Sequence, residues 1–70
     1  MSDCCIGKTI KKRRKDLRIT QPDLSELAGI SVNTVYKIET GEANPTLDVI
    51  RKIADVLGLQ LVMEIKEPKP

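Results

Sequence analysis

Apolar residues recur at helical spacing through most of the chain and switch to strict alternation only near its end. Ile6, Ile10 and Leu17 stand at i, i+4 and i+11 with basic residues on the remaining faces, which predicts a first helix ending near Arg18. A second helix opens in "ITQPDLSELAG". Thr20 is its N-cap, Asp23 stands where a capping-box acid would, and Pro22 is tolerated in a first turn whose N–H groups lack partners. Leu24, Leu27 and Ala28 form the expected inner stripe, and Gly29 suits the left-handed position that stops the helix. Ser31 caps a third helix, "VNTVYKIET", with Val35 and Ile38 inward and Gly41 at its end. After the loop "GEANP", Thr46 caps a fourth helix with Leu47, Ile50, Ile53, Ala54 and Leu57 inside and Gly58 as terminator. Asp48 sits in its first turn, where the helix dipole favours an acid.

The segment "LQLVMEIK" changes the period: Leu59, Leu61, Met63 and Ile65 alternate with Gln60, Val62, Glu64 and Lys66. Period two predicts a strand over residues 59–66. The chain offers no second strand, and an unpaired apolar edge invites aggregation. The expectation is therefore a strand that pairs with its own copy across a two-fold axis through Leu61, Val62, Met63, Glu64 and Ile65. The expected fold is all-α, four helices over residues 6–58, with this short C-terminal β-strand making a homodimer. Residues 1–5 are expected to form a flexible N-terminus and 67–70 a disordered tail.

Seventy residues make one domain at most. With no Phe, no Trp and a single Tyr, the core must be built from Leu, Ile, Val and Ala, which suits short helices packed closely. No apolar run approaches the roughly 18 residues of a membrane span, and the start lacks a signal-peptide core, so the expected location is cytoplasmic with no membrane partner. Cys4 and Cys5 are adjacent, which is no metal-ligand spacing, and His is absent; they read as two reduced thiols near a frayed terminus. With no His, no phosphate-binding Gly-rich loop and no nucleophile–base pair, neither an enzyme nor a cofactor is expected.

The net charge of +2 hides a lopsided distribution. Residues 1–18 hold seven basic residues against two acidic ones, while the remainder holds five against eight. A basic end on a nearly neutral chain suggests a polyanion such as nucleic acid, although a solvated helix face would carry the same charge.

The second and third helices, joined through Gly29, make a helix-turn-helix pattern, in which the second helix enters the DNA major groove. Together with the basic first helix, "TQPDLSELAGIS" and "IETGEANPTL" (residues 38–47), the chain from about Ile6 to Leu59 resembles the Cro/cI-type (XRE, lambda repressor-like) helix-turn-helix family. The resemblance implies a sequence-specific regulator, a dimeric repressor of its own operon on a palindromic double-stranded DNA operator, nucleoid-associated in a bacterial cytoplasm. It makes Val32, Asn33 and Lys37 contacts to base edges, with Tyr36 on a flanking base and Thr34 nearer the backbone. The chemistry agrees, since Asn pairs with adenine, Lys donates to guanine, and Val meets a thymine methyl. Gln21 looks like the family's phosphate-contacting glutamine, joined by Asn44 after the third helix and by Lys11 on the basic first helix. The family pattern also pairs Arg14 with Glu39 as a partly buried ion pair, which makes Glu39 structural. The C-terminal strand departs from relatives that end in a fifth helix and resembles HipB-like antitoxins. That ending carries an alternative function, an antitoxin or adaptor that binds a HipA-like kinase toxin.

Overall fold

The computed structural model describes residues 6–61, four helices and their connections. They are α1 (Ile6–Asp16), α2 (Gln21–Ala28), α3 (Val32–Thr40) and α4 (Leu47–Leu57). Three of the starts are set by hydroxyl caps. Thr20 Oγ1 accepts from the Asp23 N–H at 3.1 Å while Asp23 Oδ2 accepts from the Thr20 N–H at 2.9 Å, a closed capping box. Ser31 Oγ accepts from the Thr34 N–H at 3.1 Å, and Thr46 Oγ1 from the Val49 N–H at 3.2 Å. Each cap supplies a partner to one of the N–H groups that a helix start leaves unsatisfied.

The helices enclose one apolar cluster of Ile10, Leu24, Ala28, Val35, Ile38, Ile50, Ile53 and Leu57. α3 packs on both α1 and α2, and α4 packs on the same two helices, so every helix contributes to the cluster. Ile19, Ile30, Val49, Val56 and Leu59 close its edges. Four residues on the expected apolar stripes are exposed: Ile6 (49%) and Leu17 (41%) at the two ends of the first helix, leaving only Ile10 of that stripe buried, and Leu27 (65%) and Leu47 (72%) on the second and fourth. On α2 the buried stripe runs through Leu24, Ser25 and Ala28, where the helix packs on α3 and α4, and Leu27 falls outside it. Ser25 is tolerated in that stripe because its hydroxyl donates to the Pro22 carbonyl at 2.8 Å. Leu47 is the first residue of α4, beyond the reach of the other helices.

Gly7 lies buried in the first turn of α1 where that helix meets the end of α3. A β-carbon at Gly7 would run into the Ile38 and Glu39 carbonyl oxygens, so its absence sets how closely the two helices approach.

The expected C-terminal strand is a correction. No strand occurs among the described residues, and Leu59, Gln60 and Leu61, which should begin it, are irregular. Leu59 is instead used to finish α4: its N–H donates to the Ala54 carbonyl at 2.9 Å and its side chain turns onto the core. Alternation specifies a strand only where a neighbour supplies ladder partners, and the described chain has none to offer. The fold is a four-helix all-α domain, and the likeness to HipB-like antitoxins, which rested on that strand, goes with it. Val62, Met63, Glu64 and Ile65 of the expected dimer strand lie outside the described residues, as do Cys4 and Cys5. Among the described residues no helix is long and apolar enough to cross a membrane.

Candidate nucleic-acid interface

α3 is held from below and bare above. Val35, Ile38 and Glu39 are buried, while Val32, Asn33, Tyr36 and Lys37 are exposed. The four exposed positions follow an i, i+1, i+4, i+5 pattern, which puts them on one face of the helix. Val32 is 41% exposed and Tyr36 47%, so this face carries apolar surface as well as an amide and an ammonium. Mixed chemistry of this kind matches the edges of base pairs, which present methyl groups beside donors and acceptors. Thr34 is half-buried and partly spent on the turn, because its hydroxyl lies 2.8 Å from Ser31 Oγ.

The angle at which α3 stands depends on the turn before it. Gly29 takes φ +73°, and its N–H and that of Ile30 return to carbonyls of the last turn of α2. Nothing lies within 4 Å of where a β-carbon would sit, so the requirement at Gly29 is the left-handed backbone and not space.

A buried polar node ties α1, α2 and α3 together. Arg14 Nε donates to Glu39 Oε2 at 2.7 Å and Arg14 Nη2 to Oε1 at 3.0 Å, a bidentate fork across 25 residues of sequence. Arg14 Nη1 donates to the Ile19 carbonyl at 2.9 Å. Gln21 Nε2 completes the carboxylate at 3.0 Å from Oε1. Only 2% of the Glu39 side chain is exposed, and that burial opposes its ionisation. The hydrogen bonds from Arg14 and Gln21, with the charges of Arg14 and Lys11, outweigh the burial and hold the carboxyl below its ordinary value. The same hydrogen bond to Glu39 holds the Arg14 guanidinium charged. A buried pair of this kind locks geometry more surely than it stabilises.

Arg14, Gln21 and Glu39 thus meet at one junction, and Lys11, exposed on α1, adds only a favourable charge to it. Asn44 stands apart, exposed on the connection between α3 and α4, with no hydrogen bond to that junction. Leu61 is exposed at the end of the described chain.

Two features escape a reading of the sequence. Arg13, counted there among the basic residues of the first helix, donates from Nε to the Leu57 carbonyl at 2.8 Å and so caps the C-terminal end of α4. The Gln21–Glu39 bond is likewise invisible, because it joins helices 18 residues apart. Only Gly7 left a trace, as a glycine inside a helical pattern.

A family model described as helix-turn-helix matches residues 10–62. An HTH-type transcriptional regulatory protein of the archaeon Methanocaldococcus jannaschii is 42% identical over 59 residues, covering 84% of this chain but 19% of that protein. An HTH-type transcriptional regulator of Methanothermobacter thermautotrophicus is 34% identical over 56 residues, covering 80% of this chain and 81% of the relative. The immunity repressor of Bacillus phage phi105 is 36% identical over 56 residues, covering 39% of its own length. The chain therefore spans only about a fifth of the longer methanogen relatives (19% of the first). The expectation of a bacterial source is corrected by these matches, for the relatives from Methanocaldococcus and Methanococcus are archaeal. Similar sequences occur both in these archaea and in a Bacillus phage, so the motif by itself carries no mark of origin. The helix-turn-helix family that matches is non-catalytic. With most of its length covered by that model, the chain belongs to the helix-turn-helix family, of the Cro/cI type.

Proposed function

We propose that this chain binds double-stranded DNA and regulates transcription, with α3 reading base edges in the major groove and its neighbours holding phosphates. The observation that carries this is the bare face of α3, with Val32, Asn33, Tyr36 and Lys37 exposed above a buried Val35, Ile38 and Glu39. A surface helix that served only the core would show a polar outer face, whereas this one keeps Val32 and Tyr36 exposed beside Asn33 and Lys37. Asn33 and Lys37 supply the hydrogen-bonding readout, Val32 a methyl contact and Tyr36 a flanking contact. Lys11, Gln21, Thr34 and Asn44 are the phosphate contacts, which set register without reading sequence. Arg14 and Glu39 act one layer below as the ion pair that keeps α1, α2 and α3 in register.

One α3 reads only a few base pairs, so useful selectivity needs two copies on a palindromic site. The chain is accordingly proposed to act as a pair of copies on an operator, as a repressor. The phage relative is itself named an immunity repressor, which favours repression over activation.

A footprint on DNA upstream of its own gene tests the assignment. Asn33→Ala and Lys37→Ala should each cost about 1–3 kcal/mol on the protected site and relax preference at one position per half-site. Gln21→Ala should weaken all sequences alike. Undiminished discrimination by both α3 variants would remove α3 from the reading role.

A further inference from the structure

Each of the four helices ends in a residue with left-handed backbone, and three of those residues are glycines: Gly29, Gly41 and Gly58. The fourth is Arg18, at φ +61° after α1. The Arg18 N–H donates to the Lys15 carbonyl at 3.0 Å and the Ile19 N–H to the Arg14 carbonyl at 3.2 Å, the reverse bonds that close a helix. Glycine makes that closure without strain, whereas a β-carbon at positive φ crowds the backbone. Arg18 is thus a side chain kept where the backbone prefers none. Inside the chain it has no evident use. It is exposed, and among the described residues its guanidinium makes no hydrogen bond or ion pair.

Its position is nonetheless well defined. The next residue, Ile19, has its carbonyl held by Arg14, whose other nitrogens grip Glu39. Two residues on is Thr20, the cap of α2, followed by Gln21 on the same carboxylate. Arg18 therefore stands on the short connection between α1, which carries the Arg14–Glu39 node, and the capped start of α2, whose dipole is positive at that end.

We propose that Arg18 is a DNA-phosphate contact beside Gln21 and Lys11, and that this contact is why a strained arginine stands where a glycine would close α1 more easily. The guanidinium presents a planar fork of donors matched to phosphate oxygens. The proposal rests on the DNA-binding function put forward above.

The test uses the full 70-residue chain and its Arg18→Gly and Arg18→Lys variants, in thermal melts and in titrations of a fluorescent mixed-sequence duplex. Because phosphate contacts are blind to sequence, the operator need not be known. Arg18→Gly should melt a few degrees higher than the unaltered chain. It should also bind about five-fold more weakly near 0.15 M salt, with the log–log salt slope shallower by about 0.9 per bound chain. Arg18→Lys should keep the slope. An Arg18→Gly chain with unchanged affinity and slope overturns the proposal while leaving the DNA-binding function standing, and one that melts lower overturns the strain argument on which it depends. Failure of the unaltered chain to bind the duplex overturns the DNA-binding function itself and this contact with it.

Discussion

Replacing Gly7 with alanine sets two effects of opposite sign against each other. Helix propensity favours Ala over Gly by up to about 0.8–1 kcal/mol in a helix interior, and less in a first turn such as that of Gly7. Against this, the new β-carbon would collide with the Ile38 carbonyl oxygen and stand 2.9 Å from that of Glu39. Ordinary carbon–oxygen contacts of this kind are about 3.3–3.6 Å. Neither oxygen can turn aside, because both are backbone atoms at the end of α3, and Ile38 O also accepts from the Gly41 N–H at 3.2 Å. α1 must then lift from α3, which draws Arg14 away from Glu39 and loosens Ile10 in the core. Overpacking of a tight interior costs about 1–3 kcal/mol, more than propensity returns. The net expectation is a loss of about 1–2 kcal/mol. In a domain of this size that lowers the Tm by about 5–15 °C. Circular dichroism melts of Gly7→Ala beside the exposed neighbour Lys8→Ala, which should stay within about 0.5 kcal/mol of the parent, make the comparison. A Gly7→Ala chain that melts at or above the parent would refute the close approach of α1 to α3.

Ile53, 1% exposed on α4, should cost about 2–5 kcal/mol as Ile53→Ala, enough to leave much of so small a domain unfolded at 25 °C in urea titrations. Arg13→Ala removes a charge-assisted bond to the Leu57 carbonyl and should cost about 1–2 kcal/mol of stability in the same titrations, a loss that charge-neutral surface variants would not show. Because Glu39 is held below the ordinary glutamate value, its contribution to stability is present above about pH 4.3 and lost as pH falls through its lowered folded-state value. Asp23, held low by its hydrogen bonds with Thr20, acts in the same direction. Glu39→Gln should therefore melt lower than the parent at neutral pH and approach it in acid; parallel melting curves across that range would show that the carboxylate is not the group responsible.

What the sequence determined was whatever local chemistry decides within about four residues. Thr20, Ser31 and Thr46 mark helix starts because a short hydroxyl side chain reaches the N–H three residues on, and a glycine follows the last turn of three helices because the left-handed closure favours it. The apolar spacing also named most of the core, from Leu24 and Val35 to Ile53 and Leu57, and the family motif pointed to α3. Periodicity gives a face but not the neighbour that covers it, which is why Leu27 and Leu47 were misplaced and why alternation suggested a strand that the described chain does not make. The remaining decisions belong to tertiary structure. Arg13 meets the Leu57 carbonyl 44 residues away, and Arg14 meets Glu39 across 25. From sequence these two adjacent arginines are interchangeable cations. One ends a helix and the other anchors the junction beneath α3 because two helices cross at that spot, and only the packing of all four puts the partners there.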